Sequence, residues 1–392
     1  MFHTLRSHTG SFLSHHSGTW YPCSQYTLDR ETFKAGPIDG YETEQIAEDR
    51  IALRVTGSSH YVSVNPDNTV KNRDKTDTGP QAWEIFDVLP LNIEHPPQHY
   101  LDELTNRGWT LVPVFTAEEA RALKLIVSNI EGGDEVEASG KLQVRKGQIA
   151  SRHPALLQAA INPLLQGLML KYLKEAPCCA TFSSNTLLQQ NGQGTDCGLG
   201  WHVDYPYHDI PHEMWPSADK PLGVQVLYLL DDFSAANGGT LFRTGTHTLG
   251  RQPDYDDATP RATATMQCEQ LGEMPSVLPP GFVADPNIAK YHRAPAGSVL
   301  LAHSAWHHRQ VRNVASSGGS HPRRRTALLG NYTPNFVVPK SDMRKYWDSI
   351  CSTAKDWETC ELTDRDRTVI KHMWLGHKQG HHRGGSGKDM SR

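Results

Sequence analysis

One histidine and one aspartate stand at a spacing that suits metal binding. His202 and Asp204 are separated by a single residue in the segment WHVDY, residues 201–205. Residues i and i+2 of a β-strand face the same side, so the two side chains can offer one nitrogen and one oxygen to the same ion. Pairs of this kind also arise by chance. The alternative is a histidine at a strand end that is hydrogen-bonded to the nearby aspartate.

A second group of histidines lies further along the chain. Gly297 precedes the apolar run Ser298–His303, and His307 and His308 follow it. A His-x-Asp pair with one distant histidine is the 2-His-1-carboxylate facial triad of non-haem Fe(II) oxygenases. Such a triad leaves three positions on the iron for co-substrate and oxygen. We therefore predict a catalytic Fe(II) site in which either His307 or His308 completes the ligand set, while the remaining histidines are polar groups at a strand end.

Three consecutive arginines, Arg323–Arg325, lead into another apolar run. A guanidinium inside a barrel needs an anionic partner, because burying an unpaired charge is costly. A carboxylate suits it, since the planar fork of the guanidinium donates two parallel hydrogen bonds. The distal carboxylate of 2-oxoglutarate would be such a partner. The alternative is that the arginines are surface charges at a loop end.

These residues require a β-rich scaffold to bring them together. Short β-like runs are separated by Gly, Pro, Asn and Asp, and no alternation of strands with helices is visible. This pattern predicts a mainly β protein with flanking helices, built on a double-stranded β-helix (a jelly-roll, cupin-like barrel). The predicted strands are 181–190, 222–230, 240–243, 297–303 and 325–333. The predicted helices are 100–107, a helix with its N-cap at Thr116, 154–174 and 341–374.

The chain divides into regions by composition. Its first residues are rich in Ser, His, Thr and Gly, and its last residues have little to bury. The beginning is poor in acidic residues, as a mitochondrial presequence is, but it is not rich in arginine. We predict a flexible leader (1–35), an N-terminal extension (36–100), a β-helix oxygenase domain with flanking helices (101–340), a C-terminal helical segment (341–375) and a flexible tail (376–392).

Composition excludes several classes of protein. With 39 Lys and Arg against 43 Asp and Glu, the formal charge is −4, which gives no support to nucleic acid as a partner. No apolar run approaches the roughly 18 residues that span a membrane. The seven cysteines are odd in number and contain no CxxC pair, which excludes a disulfide scaffold and a zinc ribbon. These features favour an intracellular, cytoplasmic protein, and they leave its oligomeric state open.

Four motifs occur in an order that resembles a known family. They are Gly108–Phe115, then WHVD at 201–204, then Asn237–Leu241 with Thr244–His247, and finally His308, Asn313 and Arg325. Over Leu104–Asn335 the chain resembles the phytanoyl-CoA dioxygenase-like group of Fe(II)/2-oxoglutarate oxygenases, which includes ectoine hydroxylase.

The resemblance implies roles for individual residues. It selects His308 as the distal iron ligand, because it stands five residues before Asn313 and five after His303. It selects Arg325, in an Arg-x-Ala motif, for the distal carboxylate of 2-oxoglutarate. The sequence separation between His308 and Arg325 is longer than is usual in the family. Asn185 and Gln189 are predicted to bind 2-oxoglutarate, and the alternative is that they are polar residues on an outer strand face. Tyr205, Tyr207 and His208 are predicted to contact substrate, and the alternative is that they pack in the core.

The resemblance also implies the reaction. It predicts a dioxygenase that uses Fe(II), 2-oxoglutarate and O2 to hydroxylate an unactivated C–H bond, with release of succinate and CO2. Related halogenases have a small residue in place of Asp204, so the aspartate favours hydroxylation, desaturation or ring chemistry. The alternatives are a non-catalytic barrel and a cupin-type metal protein that is independent of 2-oxoglutarate.

Overall fold

The structure is a computed structural model. It describes residues 2–6, 12–16, 19–23, 33–34, 41–47, 50–65, 70–75, 78–132, 134–138, 141–188, 201–253, 268–276, 278, 282, 284–310, 313, 324–337, 350 and 364–375. Among these residues, no helix is both long and apolar enough to cross a lipid bilayer.

The elements are numbered in chain order. The strands are β1 (Phe2–Arg6), β2 (Phe12–His16), β3 (Thr19–Cys23), β4 (Phe33–Lys34), β5 (Tyr41–Ala47), β6 (Arg50–Val55), β7 (His60–Val64), β8 (Val70–Asp74), β9 (Ile85–Leu91), β10 (Trp109–Pro113), β11 (Asp134–Ala138), β12 (Lys141–Lys146), β13 (Cys178–Leu188), β14 (Val224–Leu229), β15 (Thr240–Arg243), β16 (Cys268–Leu271), β17 (Ile288–His292), β18 (Ser298–His303), β19 (His308–Gln310) and β20 (Arg324–Thr333). The helices are α1 (Pro97–Arg107), α2 (Ala117–Asn129), α3 (Pro154–Ala160), α4 (Pro163–Leu173) and α5 (Asp364–Leu375).

Two sheets pack against each other to form the barrel. The larger has the order β10-β18-β14-β20-β13-β12-β11, and the smaller has the order β17-β16-β15-β19. Neighbouring strands are antiparallel except for β16 and β17. One apolar core joins both sheets, with Trp109, Leu229 and Leu300 from the larger and Phe242 and Leu271 from the smaller. This architecture confirms the predicted mainly β fold with a jelly-roll core, and each of the five predicted strands is present.

The helices cover the outer face of the larger sheet. Phe182, Val226 and Tyr228 point to this face and share a core with the leucines of α1, α3 and α4. The Tyr228 hydroxyl donates to the carbonyl of Ala159, near the end of α3, at 3.1 Å. The predicted helix 154–174 is divided because Pro163 starts a new helix and cannot donate a hydrogen bond within the old one.

The strands of the N-terminal quarter form a sheet of their own. Its order is β3-β2-β1-β9-β6-β7-β8, with β4 beside β1 and β5 beside β6. The described parts of the predicted flexible leader are therefore strands, because β1 pairs with β9 and buries Leu5 against Leu53 and Phe86. The predicted tail at 376–392 lies outside the described residues. Of the predicted helical segment 341–375, the structure describes Ile350 and α5.

Gly108 connects α1 to the barrel at a position where only glycine fits. It ends α1 with a φ of 82°, and its carbonyl accepts from the backbone N–H of His303 at 2.9 Å. A β-carbon at this position would overlap Nδ1 of His247. Left-handed backbone costs a non-glycine residue roughly 1–2 kcal/mol, and steric overlap in a packed site adds about 1–3 kcal/mol.

We therefore expect Gly108→Ala to lower the free energy of unfolding by about 2–5 kcal/mol in chemical denaturation. The matched control is Gly245→Ala, since Gly245 has a φ of 80° and no atom lies within 4 Å of the place where its β-carbon would stand. That variant should lose only the backbone contribution. Equal losses in the two variants would show that the contact with His247 is unimportant.

Candidate metal centre

Three side chains converge on one point at the inner face of the barrel. The ligand atoms offered by His202, Asp204 and His308 all lie within 4.8 Å of one another. Nε2 of His308 is 3.3 Å from Oδ2 of Asp204, and the two imidazole rings have centroids 4.3 Å apart. Two nitrogens and one carboxylate oxygen at this separation could bind a divalent metal ion on one face, as the spacing predicts.

Backbone pairing positions the three ligands. His202 and His308 form an antiparallel bridge, with N–H to carbonyl distances of 3.0 and 3.1 Å in the two directions. The N–H of Asp204 donates to the carbonyl of Ser304 at 2.8 Å. The His-x-Asp segment is thus extended and held against the chain around β19, which places both of its ligands beside the distant histidine.

Trp306 orients the His308 imidazole. Nδ1 of His308 lies 3.0 Å from the carbonyl of Trp306, and the two rings stack with centroids 5.3 Å apart. A carbonyl only accepts hydrogen bonds, so Nδ1 carries the proton and Nε2 is left with a lone pair for a metal. Trp306 belongs to the barrel core and also lines the cavity beside the three candidate metal ligands.

The structure distinguishes His308 from its neighbour. Nε2 of His307 lies 2.9 Å from the carbonyl of Arg251, and its backbone N–H donates to the Thr246 hydroxyl. Burial lowers the pKa of His307 to about 4, so the ring is neutral at physiological pH. The His307 imidazole therefore points away from the candidate metal ligands, whereas His308 lies beside His202 and Asp204.

The three candidate ligands lie in the wall of a cavity of about 250 Å³. Its wall combines polar residues with an apolar patch from three central strands of the larger sheet. The cavity is lined by Arg145, Thr181, Ser183, Asn185, His202, Asp204, Gln225, Leu227, Thr240, Leu300, Trp306, His308, Arg325, Ala327 and Leu329.

Arg325 brings a buried positive charge to this cavity. Its side chain is 3% exposed, lies over the ring of Phe233 and donates from Nη1 to the carbonyl of Gly238. Burial lowers the pKa of Arg325 to about 10, an effect that the negative charge of Asp231 partly offsets. It remains protonated at neutral pH. Among the described residues, no carboxylate forms an ion pair with Arg325, and its Nε has no hydrogen-bond partner.

The neighbouring Arg324 has the opposite environment. It is exposed, because successive residues of β20 face opposite sides of the sheet. Of Arg324 and Arg325, Arg325 is the one inside the barrel. Arg323 lies outside the described residues.

The predicted amide residues fall in different places. Asn185 on β13 is buried and lines the cavity, and its Oδ1 has no hydrogen-bond partner among the described residues. Gln189 lies outside the described residues. Gln225 on β14 also lines the cavity, where its Oε1 accepts from Nδ2 of Asn331 at 3.1 Å. Asn185 therefore resembles Arg325, because both are buried in the cavity wall and have a polar atom without a hydrogen-bond partner among the described residues.

The aromatic residues after the metal ligands do not line the cavity. Tyr207 is fully buried, packs on Trp215 and His303, and accepts from the N–H of Leu222 at 3.0 Å. Tyr205 is half-buried. His208 is exposed, and its Nε2 lies 3.2 Å from Oδ1 of Asp209. A role in substrate binding stays a prediction for these three residues. For Tyr207 it would require a change in the surrounding packing.

Sequence reasoning missed several cavity residues. Arg145, Thr181 and Ser183 lie on β12 and β13, and Thr240 lies on β15. Thr181 and Ser183 share a strand face with Asn185, and Thr240 lies in the glycine-rich segment Asn237–Leu241. Arg145 has no such signal in the sequence. Strand alternation identifies such a face, but only the pairing of β12 with β13 and β20 shows that it turns toward the metal ligands.

Comparison with solved structures finds similar chains at low identity. SnoN, a non-haem alpha-ketoglutarate-dependent epimerase from nogalamycin biosynthesis, is 13% identical with a TM-score of 0.44; the match covers 61% of this chain and 84% of SnoN. SnoK, a carbocyclase from the same biosynthesis, is 15% identical with a TM-score of 0.43, covering 61% and 84%. HygX from Streptomyces hygroscopicus, with nickel and 2-oxoglutarate bound, is 14% identical with a TM-score of 0.42, covering 62% and 88%.

Comparison by sequence gives one family. No curated protein matches the chain significantly. The family model for phytanoyl-CoA dioxygenase (PhyH) matches residues 116–318. The match covers more than half of the chain, from the N-cap of α2 to the region before β20, and includes all three of the converging metal-ligand candidates.

Proposed function

The chain belongs to the phytanoyl-CoA dioxygenase family, and on that premise we propose that it is an Fe(II)- and 2-oxoglutarate-dependent dioxygenase. The proposed reaction is hydroxylation of an unactivated C–H bond of a small molecule, with release of succinate and CO2. The observation that carries this proposal is the presence of the His202, Asp204 and His308 ligands and the buried Arg325 guanidinium in one cavity.

The residues present fit both cofactors. Two imidazoles and a carboxylate suit Fe(II) and leave coordination positions open. The Nε of Arg325 is buried without a partner among the described residues, and an incoming carboxylate would satisfy it. Asn185 adds an unpaired amide, which can turn its Nδ2 toward the same ligand. Fe(II), 2-oxoglutarate and O2 are thus the cofactors and oxidant, in agreement with the family.

Each residue has a defined task in this proposal. His202, Asp204 and His308 hold the iron, and the Trp306 carbonyl keeps Nε2 of His308 available as a ligand. When bound, Fe(II) and 2-oxoglutarate supply the oxidising chemistry, which consumes O2 and oxidises a substrate C–H bond. Arg325 binds the distal carboxylate and thereby sets the orientation of the co-substrate.

The remaining wall shapes the space for substrate. Leu227, Leu300 and Leu329 form an apolar patch that excludes water from the reacting end of the cavity. The carboxylate of Asp204 occupies a position that halogenases leave open, which supports hydroxylation over halogenation. The apolar patch would hold the hydrocarbon part of a substrate beside the metal ligands.

The test is visible absorption of the Fe(II)-loaded protein as 2-oxoglutarate is added without oxygen. We expect a saturable metal-to-ligand charge-transfer band, and succinate release once oxygen is admitted. A folded, iron-replete protein without such a band would favour a 2-oxoglutarate-independent, cupin-type metal protein. Failure to bind Fe(II) would favour a non-catalytic barrel.

A further inference from the structure

The cavity contains a second arginine that the proposed reaction does not use. Arg145 on β12 is exposed and lines the cavity two strands away from Arg325 on β20. Among the side chains that the structure describes, no carboxylate pairs with its guanidinium, and Asp204 is the one carboxylate that lines the cavity. The cavity thus has a cation at its open side as well as one at its buried side.

Strand register places Arg145 beside a polar wall. Arg145 is directly opposite Asn185 on the neighbouring strand β13, and side chains at such paired positions point to the same face. Thr181 and Ser183 share this face of β13, since strand residues two apart point the same way. From Asn185 through Ser183 to Thr181 the side chains pass from buried to exposed, which gives the direction of the cavity mouth.

The charges favour an anionic ligand at this mouth. Fe(II) and the two arginines together carry four positive charges, whereas Asp204 and a 2-oxoglutarate dianion carry three negative charges. Arg325 is the better site for the distal carboxylate of 2-oxoglutarate, because it is buried and has an unpaired donor. Arg145 is then left with a positive charge, beside hydroxyl groups that can donate hydrogen bonds.

We propose that Arg145, with the hydroxyls of Thr181 and Ser183, binds an anionic group of the substrate, a carboxylate or a phosphate. This inference rests on the proposed function and specifies its substrate class as small anionic molecules with an apolar part. The anionic group binds at the mouth, and the apolar part extends over Leu227 and Leu329 toward the metal ligands. The oxidised C–H bond therefore lies at the end of the substrate remote from its charge.

The test uses a panel of matched compounds against protein saturated with Fe(II) and 2-oxoglutarate without oxygen. One arm contains carboxylic acids with aliphatic or aromatic tails and their primary amides. The other contains phosphate monoesters and their parent alcohols. Binding is measured by calorimetry, so no turnover is needed. We expect the wild type to bind members of one anionic arm at least about tenfold more tightly than the neutral counterparts, the difference that loss of a charge-assisted hydrogen-bond pair produces.

Three variants make the result specific. Arg145→Gln should remove the preference for the anion, and Arg145→Lys should retain part of it through its charge. Arg324→Gln is the matched control, since Arg324 is an exposed arginine that does not line the cavity. The affinity for 2-oxoglutarate, measured from the charge-transfer band, should be the same in all of them.

Several results would overturn the inference. They are a wild type that does not prefer any anion, an Arg145→Gln variant that keeps the preference, and an Arg145→Gln variant with weakened 2-oxoglutarate binding. The last would assign Arg145 to the co-substrate. Failure of the proposed function itself is distinguishable, because the wild type would then show no charge-transfer band with 2-oxoglutarate.

Discussion

Asp204→Ala is expected to weaken Fe(II) binding by more than about 100-fold and to abolish succinate release. Loss of a residue that merely supports a metal ligand typically costs 10- to 100-fold in affinity, so loss of a ligand should exceed this range. Asp204 is also the one negatively charged member of the converging group. Without it, two neutral imidazoles remain to hold a divalent cation.

The measurement is a competition titration of Fe(II) against a coloured chelator under anaerobic conditions, with circular dichroism to check the fold. Asp209→Asn is the matched control, because Asp209 is a nearby carboxylate that lies beside His208 and outside the cavity. It should bind Fe(II) as the wild type does. Asp204→Asn should fall between wild type and alanine, since its amide oxygen is a neutral ligand. Wild-type affinity in Asp204→Ala would refute the assigned ligand set.

Arg325→Ala is expected to weaken 2-oxoglutarate binding by about 100-fold or more while leaving Fe(II) binding in place. Removing one member of a buried ion pair costs about 3–5 kcal/mol, and each 1.4 kcal/mol is a factor of ten. The Arg325 side chain meets the conditions for such a pair, because it is buried, protonated and lacks an ionic partner among the described residues. The metal ligands lie on other elements and should be unaffected.

Two further variants separate charge from packing at this position. Arg325→Lys keeps the charge but loses the planar fork, so its 2-oxoglutarate affinity should lie between those of the wild type and alanine. Arg324→Ala removes the exposed neighbour and should change nothing. The dissociation constant is read from the charge-transfer band. An Arg325→Ala variant that binds 2-oxoglutarate within about threefold of wild type, well below the loss expected for a buried pair, would show that another residue holds the distal carboxylate.

Local features of the chain were predictable because they follow from local physical chemistry. The side chain of Thr116 accepts from the N–H of Glu119 while the Glu119 carboxylate accepts from the N–H of Thr116, and both residues are visible in the sequence as a capping box. Gly108 ends α1 because glycine adopts positive φ at little cost. Alternation and turn residues similarly predicted the barrel strands.

Other features required knowledge of which strands pair. The leader appeared irregular, yet Leu5 is buried because β1 pairs with β9, far away in sequence. Arg145 carries no motif, and its importance comes from its position opposite Asn185. No local pattern indicates either contact, because each joins segments separated by many residues.

The amino-acid sequence by itself determined the fold class, the His-x-Asp pair and the presence of distant histidines and arginines that could complete a site. The residues by themselves left the choice between neighbours open, and the family resemblance favoured His308 and Arg325. The tertiary structure places His308 beside Asp204 and Arg325 inside the barrel, while His307 and Arg324 point elsewhere. The physical reason is the two-residue period of a strand. A shift of one residue in pairing reverses which side chains enter the cavity, and that register is set by contacts between strands distant in sequence.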